Sequence, residues 1–251
     1  MSERAWASIV EQTRMADHDF SQSPFLLTAD QIKDTTRQFK AAGDREVRIL
    51  CKQDTREDRP EFFVKNGLFI LPVDNKSYYI VKGEGYVDVK MPNTKPTRFT
   101  SEAGFVLESS TKGDGEMQYV DFAHASGLTS NFLGIQRFHL TIRGRKRTPM
   151  FRYKVGQHEL YAESVQTEVD AGYESSDSIV LIEAKNKKTT NTIIRQLYFP
   201  YRQWSLFTKK TVRILFFNHS DSIYTFWEYT FTNPKDYNSI KLVCCNNYDL
   251  S

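Results

Sequence analysis

Residues Ser178 to Lys185 read Ser-Ile-Val-Leu-Ile-Glu-Ala-Lys. The four consecutive apolar residues predict a buried strand. It ends in a carboxylate, a small residue and a lysine, and burial alone gives no reason for two charges there. Alternation along a strand puts Glu183 and Lys185 on one side. Upstream, Asp170 lies in Thr-Glu-Val-Asp-Ala-Gly-Tyr-Glu, and Gly172 with Glu174-Ser175-Ser176-Asp177 predicts a hairpin turn. A turn centred between Ser175 and Ser176 sets Asp170 opposite Leu181, and opposite residues share a face. Asp170, Glu183 and Lys185 then converge, with Glu168 on the same face as a reserve acidic ligand. A slip of one residue would carry Asp170 to the other side.

These residue types suit one chemistry. Two carboxylates are hard oxygen ligands for Mg²⁺, which keeps waters and bridges to phosphate. The metal lowers the pKa of a bound water and neutralises charge developing on the phosphate. A lysine beside it can orient or deprotonate that water, or stabilise the pentacovalent state. The sequence leaves those lysine roles open.

The pattern resembles the PD-(D/E)xK nuclease superfamily, with Asp170 as the first acid, Glu183 as the second and Lys185 as the lysine. Val169 stands where the superfamily often has proline. Residues 150 to 220, with Val-Leu-Ile-Glu-Ala-Lys-Asn and Ile-Ile-Arg-Gln-Leu-Tyr-Phe-Pro-Tyr-Arg-Gln-Trp, are similar to the catalytic core of type II restriction endonucleases. Upstream, Val-Arg-Ile-Leu-Cys-Lys-Gln-Asp and Asn-Gly-Leu-Phe-Ile-Leu-Pro are similar to the amino-terminal part of that group. The resemblance implies an α/β fold, a mixed central sheet flanked by helices in a restriction-endonuclease-like core, with an α+β N-terminal recognition region. It implies Mg²⁺-dependent hydrolysis of double-stranded DNA at a short sequence. It also implies a cognate DNA methyltransferase, and support of the site by Gln196 from the following helix. One core per chain and two antiparallel strands to cut predict a homodimer. Rival readings are a structure- or damage-specific nuclease of the same superfamily, a DNA-binding protein without catalysis, and an RNA-directed nuclease.

The 251 residues suffice for one large domain or two small ones. The expected division is 1–150 for DNA recognition and dimerisation, and 151–251 for catalysis. A formal charge of +3 is not that of a histone-like protein, so local clustering is the better guide to nucleic acid. Arg143, Arg145, Lys146 and Arg147 are such a cluster, expected at the tip of a hairpin between strands at 139–143 and 150–155. Four positive charges without an acid exceed what a solvated turn requires, which predicts phosphate or groove contact. Lys187 and Lys188, just past the strand end, are expected to touch DNA. Arg45, Arg48 and Lys52 are further candidates for base contact.

Cys51, Cys244 and Cys245 make no disulfide framework and no zinc spacing, which fits a reducing, cytoplasmic setting. The scattered histidines suggest no ligand set. No signal peptide or membrane span is expected. Along the chain, 1–43 reads mostly helical, with a start at Thr28 and a stop at Ala41-Ala42-Gly43. Residues 46–52, 67–72 and 77–81 read as strands, and 91–117 as loops. A helix capped by Thr129 or Ser130 is expected near 128–134. Another is expected over 189–207, capped by Thr190 or Asn191 and kinked or split at Pro200, with Arg195, Gln196, Arg202 and Gln203 on its polar face. Strands follow at 211–218, 223–231 and 240–245.

Overall fold

The computed structural model describes residues 2–113 and 115–250. The chain starts with helix α1 (Glu3–Gln12), strand β1 (Phe25–Thr28), and helices α2 (Ala29–Thr35), α3 (Ala42–Arg45), α4 (Val47–Leu50) and α5 (Glu61–Asn66). Strands β2 (Leu68–Pro72) and β3 (Ser77–Lys82) close a three-stranded antiparallel sheet ordered β1-β3-β2. This part has its own core, with Trp6, Ile9, Leu27, Ile32, Leu50 and Phe63 all buried. Thr28 starts α2 as expected: its hydroxyl accepts from the Gln31 N–H at 3.1 Å, and the Gln31 carboxamide accepts from the Thr28 N–H at 2.8 Å.

Residues 46–52 hold the short helix α4, not the expected strand. Val47, Leu50 and Cys51 face the core while Ile49 is exposed, and that spacing is helical. Ala41-Ala42-Gly43 opens α3 rather than ending a helix. The strands at 67–72 and 77–81 appear close to their expected bounds.

Next come β4 (Tyr86–Asp88), β5 (Thr97–Phe99), α6 (Glu116–Ala125), α7 (Leu128–Leu133), β6 (His139–Arg147), β7 (Phe151–Val155) and β8 (His158–Ala162). The chain ends with β9 (Gln166–Glu174), β10 (Ser178–Lys185), β11 (Asn191–Ile193), α8 (Arg195–Phe207), β12 (Thr211–Ser220), β13 (Ile223–Phe231) and β14 (Ile240–Leu250). Seven strands form one mixed sheet in the order β5-β14-β13-β12-β10-β9-β6, with β10–β12 and β14–β5 parallel and the other pairs antiparallel. The expected division at residue 150 is not one this sheet observes, because β5 and β6 precede it.

Helices cover both faces. On one, Leu197, Tyr198 and Phe199 of α8 pack over Ile179, Leu181, Ile214 and Phe216. On the other, Val120 and Ala123 of α6 and Leu128 and Leu133 of α7 pack over Val180, Ile182, Leu215 and Phe217. Strand β10 is therefore buried on both sides, and Leu181→Ala would cost about 2–5 kcal/mol through lost burial and the cavity left behind. Among the described residues no helix is long and apolar enough to cross a membrane.

Three further expectations change. The helix at 128 is preceded by Gly127 at φ +85°, so its N-cap is Gly127 and not Thr129 or Ser130. Residues 191–193 pair with β4, and α8 begins one turn later with Ile194 as N-cap, without a side-chain cap. Helix α8 passes through Pro200 as one assigned helix, since buried Leu197, Tyr198, Phe199, Arg202 and Gln203 hold both halves in place. Arg202 and Gln203 are thus not on a solvated face. The Arg202 guanidinium donates to the Arg152 and Pro234 carbonyls, and Gln203 bonds Thr167 and the Arg147 carbonyl.

Candidate active site

The hairpin β9–β10 pairs Leu181 with Gly172 and Ile182 with Ala171. Its turn is centred one residue later than expected. The Ser175 hydroxyl accepts from the Ser178 N–H at 3.0 Å, and the Ser175 N–H donates to the Ser178 carbonyl at 2.9 Å. Asp170 therefore does not face Leu181; the pairing with β10 ends at Ala171, beside a register shift between β6 and β9, and Asp170 is held near the end of β10 by a side-chain bond. Gly172 lies inside β9 rather than in the turn. A Cβ there would fall 2.6 Å from the Cβ of Ile142 on β6, so only glycine permits that approach.

Past Ala171 the regular ladder stops, and the Asp170 Oδ2 takes the Ala184 N–H at 2.7 Å. Ile179 and Leu181 point under α8, and the same alternation carries Glu183 and Lys185 to that side. The Lys185 ammonium donates to Glu183 Oε1 at 2.5 Å and to the Ala184 carbonyl at 3.0 Å. The Glu183 and Lys185 side chains are only 11% and 16% exposed. Buried Asn218 on β12 donates to the carbonyls of Lys185 and Lys187 at 3.2 and 2.6 Å and so holds the end of β10.

Burial shapes the electrostatics. It pushes the Glu183 carboxyl up to about 7, against the pull of Lys185 and with help from nearby Asp170. Burial likewise raises Asp170, although the Ala184 N–H and Lys185 draw it down. Burial lowers the Lys185 ammonium, but the Glu183 carboxylate overcomes this and the net shift is upward. One lysine thus faces two desolvated carboxyls whose neutral forms burial favours.

The three side chains open into a cleft of about 1180 Å³ between the seven-stranded sheet and the N-terminal part. Arg48, Lys52 and Asp54 line it from the N-terminal part, and Arg195 and Gln196 from α8. Gln196 accepts from the Thr192 hydroxyl at 2.9 Å and stands at the cleft wall. Seven carboxylates and five cationic side chains line the cleft. Its own charge is therefore negative in a chain of net charge +3, an arrangement that suits hard divalent cations. Among the described residues no three His, Cys, Asp or Glu side chains converge as a ligand group. Glu168 lines the cleft too, but its carboxylate is bonded by Arg145 at 3.2 Å. Asp170 and Glu183 are the carboxylates here that could hold a divalent cation, and Mg²⁺ needs no more than one or two because it keeps several waters.

The basic cluster is not a hairpin tip. Gly144, at φ +82° beside a register shift, makes a bulge rather than a turn, and β6 runs on to Arg147 along β9, at the sheet edge. Its charges are engaged locally. Arg143 bonds both oxygens of Asp121, Arg145 bonds Glu168, and Arg147 bonds Asn75 and the Ser164 carbonyl. Lys146 lies 5.6 Å from the Trp204 ring centre. Exposed Lys187 lines the cleft, whereas Lys188, also exposed, is not among the lining residues.

Sequence reading missed Asp54 and Glu116. Asp54 lies 3.6 Å from Arg195 and contributes to raising Glu183; Glu116, at the start of α6, contributes to raising Asp170. Both come from segments far from β10 in sequence, and no local pattern marks them.

Residues 81–249 match the family model described as Domain of unknown function (DUF6997), and residues 3–80 match Domain of unknown function (DUF6996). The first match covers more than half of the chain, which therefore belongs to that family. No curated protein and no solved structure matches it.

Proposed function

We propose that this member of the DUF6997 family is a Mg²⁺-dependent endonuclease of PD-(D/E)xK type, cutting double-stranded DNA at a short sequence as type II restriction enzymes do. The observation that carries the reading is the juxtaposition of Asp170 and Glu183 across β9 and β10. Lys185 is bonded to Glu183, and all three face one cleft. A helix-flanked mixed sheet with this hairpin at its centre supports a restriction-endonuclease-like core.

In this reading Asp170 and Glu183 hold the metal, which supplies a water of lowered pKa and neutralises charge on the phosphate. The Ala184 N–H fixes the Asp170 carboxylate. Lys185 is held protonated beside Glu183, so it acts first as a donor and a positive charge at the developing pentacovalent phosphate. Asn218 keeps the β10 end rigid so that Glu183 and Lys185 hold their separation. Gln196 at the wall helps place the attacking water. Cutting both strands makes the enzyme a homodimer, and host DNA is protected by a cognate methyltransferase acting on the same site.

The test is unmethylated phage DNA with the purified protein, in Mg²⁺ and in EDTA, beside Glu183→Ala. The expected result is discrete bands that require Mg²⁺ and vanish in the variant. Intact DNA under all conditions would refute sequence-specific cleavage of this substrate. A smear unchanged by Glu183→Ala would show the active site to be misassigned.

A further inference from the structure

Residues 3–82 run helix (α1), strand (β1), helix (α2), two single-turn helices (α3 and α4) separated by extended Glu46 and, after α5, two strands (β2, β3), with β3 central in the sheet. Only residues 36–41 separate α2 from α3–α4, and both pack on the same separate core, which contains Ile32 and Leu50. This order resembles a helix-turn-helix backed by a strand wing, with the second helix divided into the turns α3 and α4. In such a unit the second helix is the element presented to a DNA groove.

Three observations make that helix the reading element. First, its arginines are exposed and unspent. Among the described residues neither Arg45 nor Arg48 has a side-chain ion pair or hydrogen bond; Lys52, 71% exposed, lies 3.5 Å from the Asp54 carboxylate. The arginines of β6, in contrast, each hold a local partner. Second, the helix is anchored from behind. Buried Asp44 on α3 is bonded by Ser2 and Arg4 at the start of α1, which fixes the turn that carries Arg45. The turn between β2 and β3 is occupied elsewhere: the Val73 carbonyl accepts from the Glu163 N–H at 2.8 Å, and Asn75 from Arg147. Third, Arg48 and Lys52 line the same cleft as Asp170 and Glu183, so one bound duplex would touch both.

We propose that residues 3–82 are a helix-turn-helix DNA-reading module. In it, α3–α4 enters the major groove of the duplex being cut, with Arg45 and Arg48 reading base edges and Lys52 holding phosphate. The proposal rests on the nuclease reading and names the part that gives it specificity. Arginine suits the task because its planar fork bonds guanine O6 and N7 together, while lysine is a point charge. The partner is B-form DNA, because the major groove of A-form RNA is too deep and narrow for a helix.

The test uses the full chain carrying Glu183→Gln, so that bound DNA stays uncut, and a duplex pool with a randomised centre, in Mg²⁺. The expected result is enrichment of a short motif. Adding Arg45→Ala and Arg48→Ala should weaken binding to the enriched duplex about tenfold or more and erase the motif. Arg45→Lys with Arg48→Lys should keep low-salt affinity within about threefold but flatten the motif. Circular dichroism should be the same for all. Absence of any motif, or a motif and affinity indifferent to both pairs of substitutions, would overturn the proposal. The nuclease reading is tested separately by wild-type cleavage of the enriched duplex. A duplex bound but never cut sinks the nuclease and leaves the module standing. One cut equally well without Arg45 and Arg48 does the reverse.

Discussion

The end of β10 and the edge strand β6 are both dense in charge, yet the fold treats them oppositely. On β6 each arginine meets a partner that matches it, and most of these pairs stay half in water. At the β9–β10 site two carboxylates, Asp170 and Glu183, are drawn out of water with one lysine bonded to Glu183, and their protonation is displaced upward. Exposed, paired charge contributes little energy and resists nothing. Buried, under-compensated charge is costly, and a fold retains it where chemistry needs it. Clustering in sequence is thus a poor sign of function; imbalance after folding is a better one.

The largest effect that would sharpen this contrast is on cleavage. Lys185→Ala should lower the rate about a thousandfold with little change in DNA binding, because its charge acts at the transition state. A loss under tenfold would place the chemistry elsewhere. The second effect is on metal-free stability. Glu183 is raised from 4.5 to about 7, so burial favours its neutral form in the folded chain. Its contribution is complete below about 4.5 and is lost as pH rises through about 7. Between about pH 4 and pH 8 the wild type should therefore lose about 3 kcal/mol relative to Glu183→Gln, read by denaturant unfolding in EDTA. Parallel profiles for the two proteins would break the argument from burial. Third, Gln196→Ala should slow cleavage about tenfold through a looser water, with the fold intact by circular dichroism. An unchanged rate would reduce Gln196 to a wall residue. The smallest effect belongs to β6: Arg145→Ala should alter stability by less than about 1 kcal/mol and cleavage by less than threefold. A large loss of DNA affinity there would mean that DNA competes successfully with Glu168 for Arg145.

Much of the core was legible in the chain. Strands β10, β12 and β13 and the capped start of α2 follow from apolar runs and a local capping pattern, which act over a few residues. The strand-strand-helix-strand-strand order followed from the same signals. Errors arose where one local signal serves two structures. Gly144 suits a turn or a bulge, and Val47 to Cys51 suits a strand or a helix. Pro200 breaks a helix unless packing on both sides outweighs the lost bond.

What the sequence alone determined was the charged pair at the end of β10. The period of a strand puts Glu183 and Lys185 on one side whatever surrounds them, whereas Asp170 joins them through its bond to the Ala184 N–H. Tertiary structure alone decided which charges stay unspent. It paired the β6 arginines with Asp121, Glu168 and Asn75, left Arg45 and Arg48 bare, and brought Asp54 toward Glu183 and Glu116 toward Asp170. The physical reason is range: backbone periodicity acts between neighbours in the chain, whereas desolvation and ion pairing depend on groups that only folding brings together.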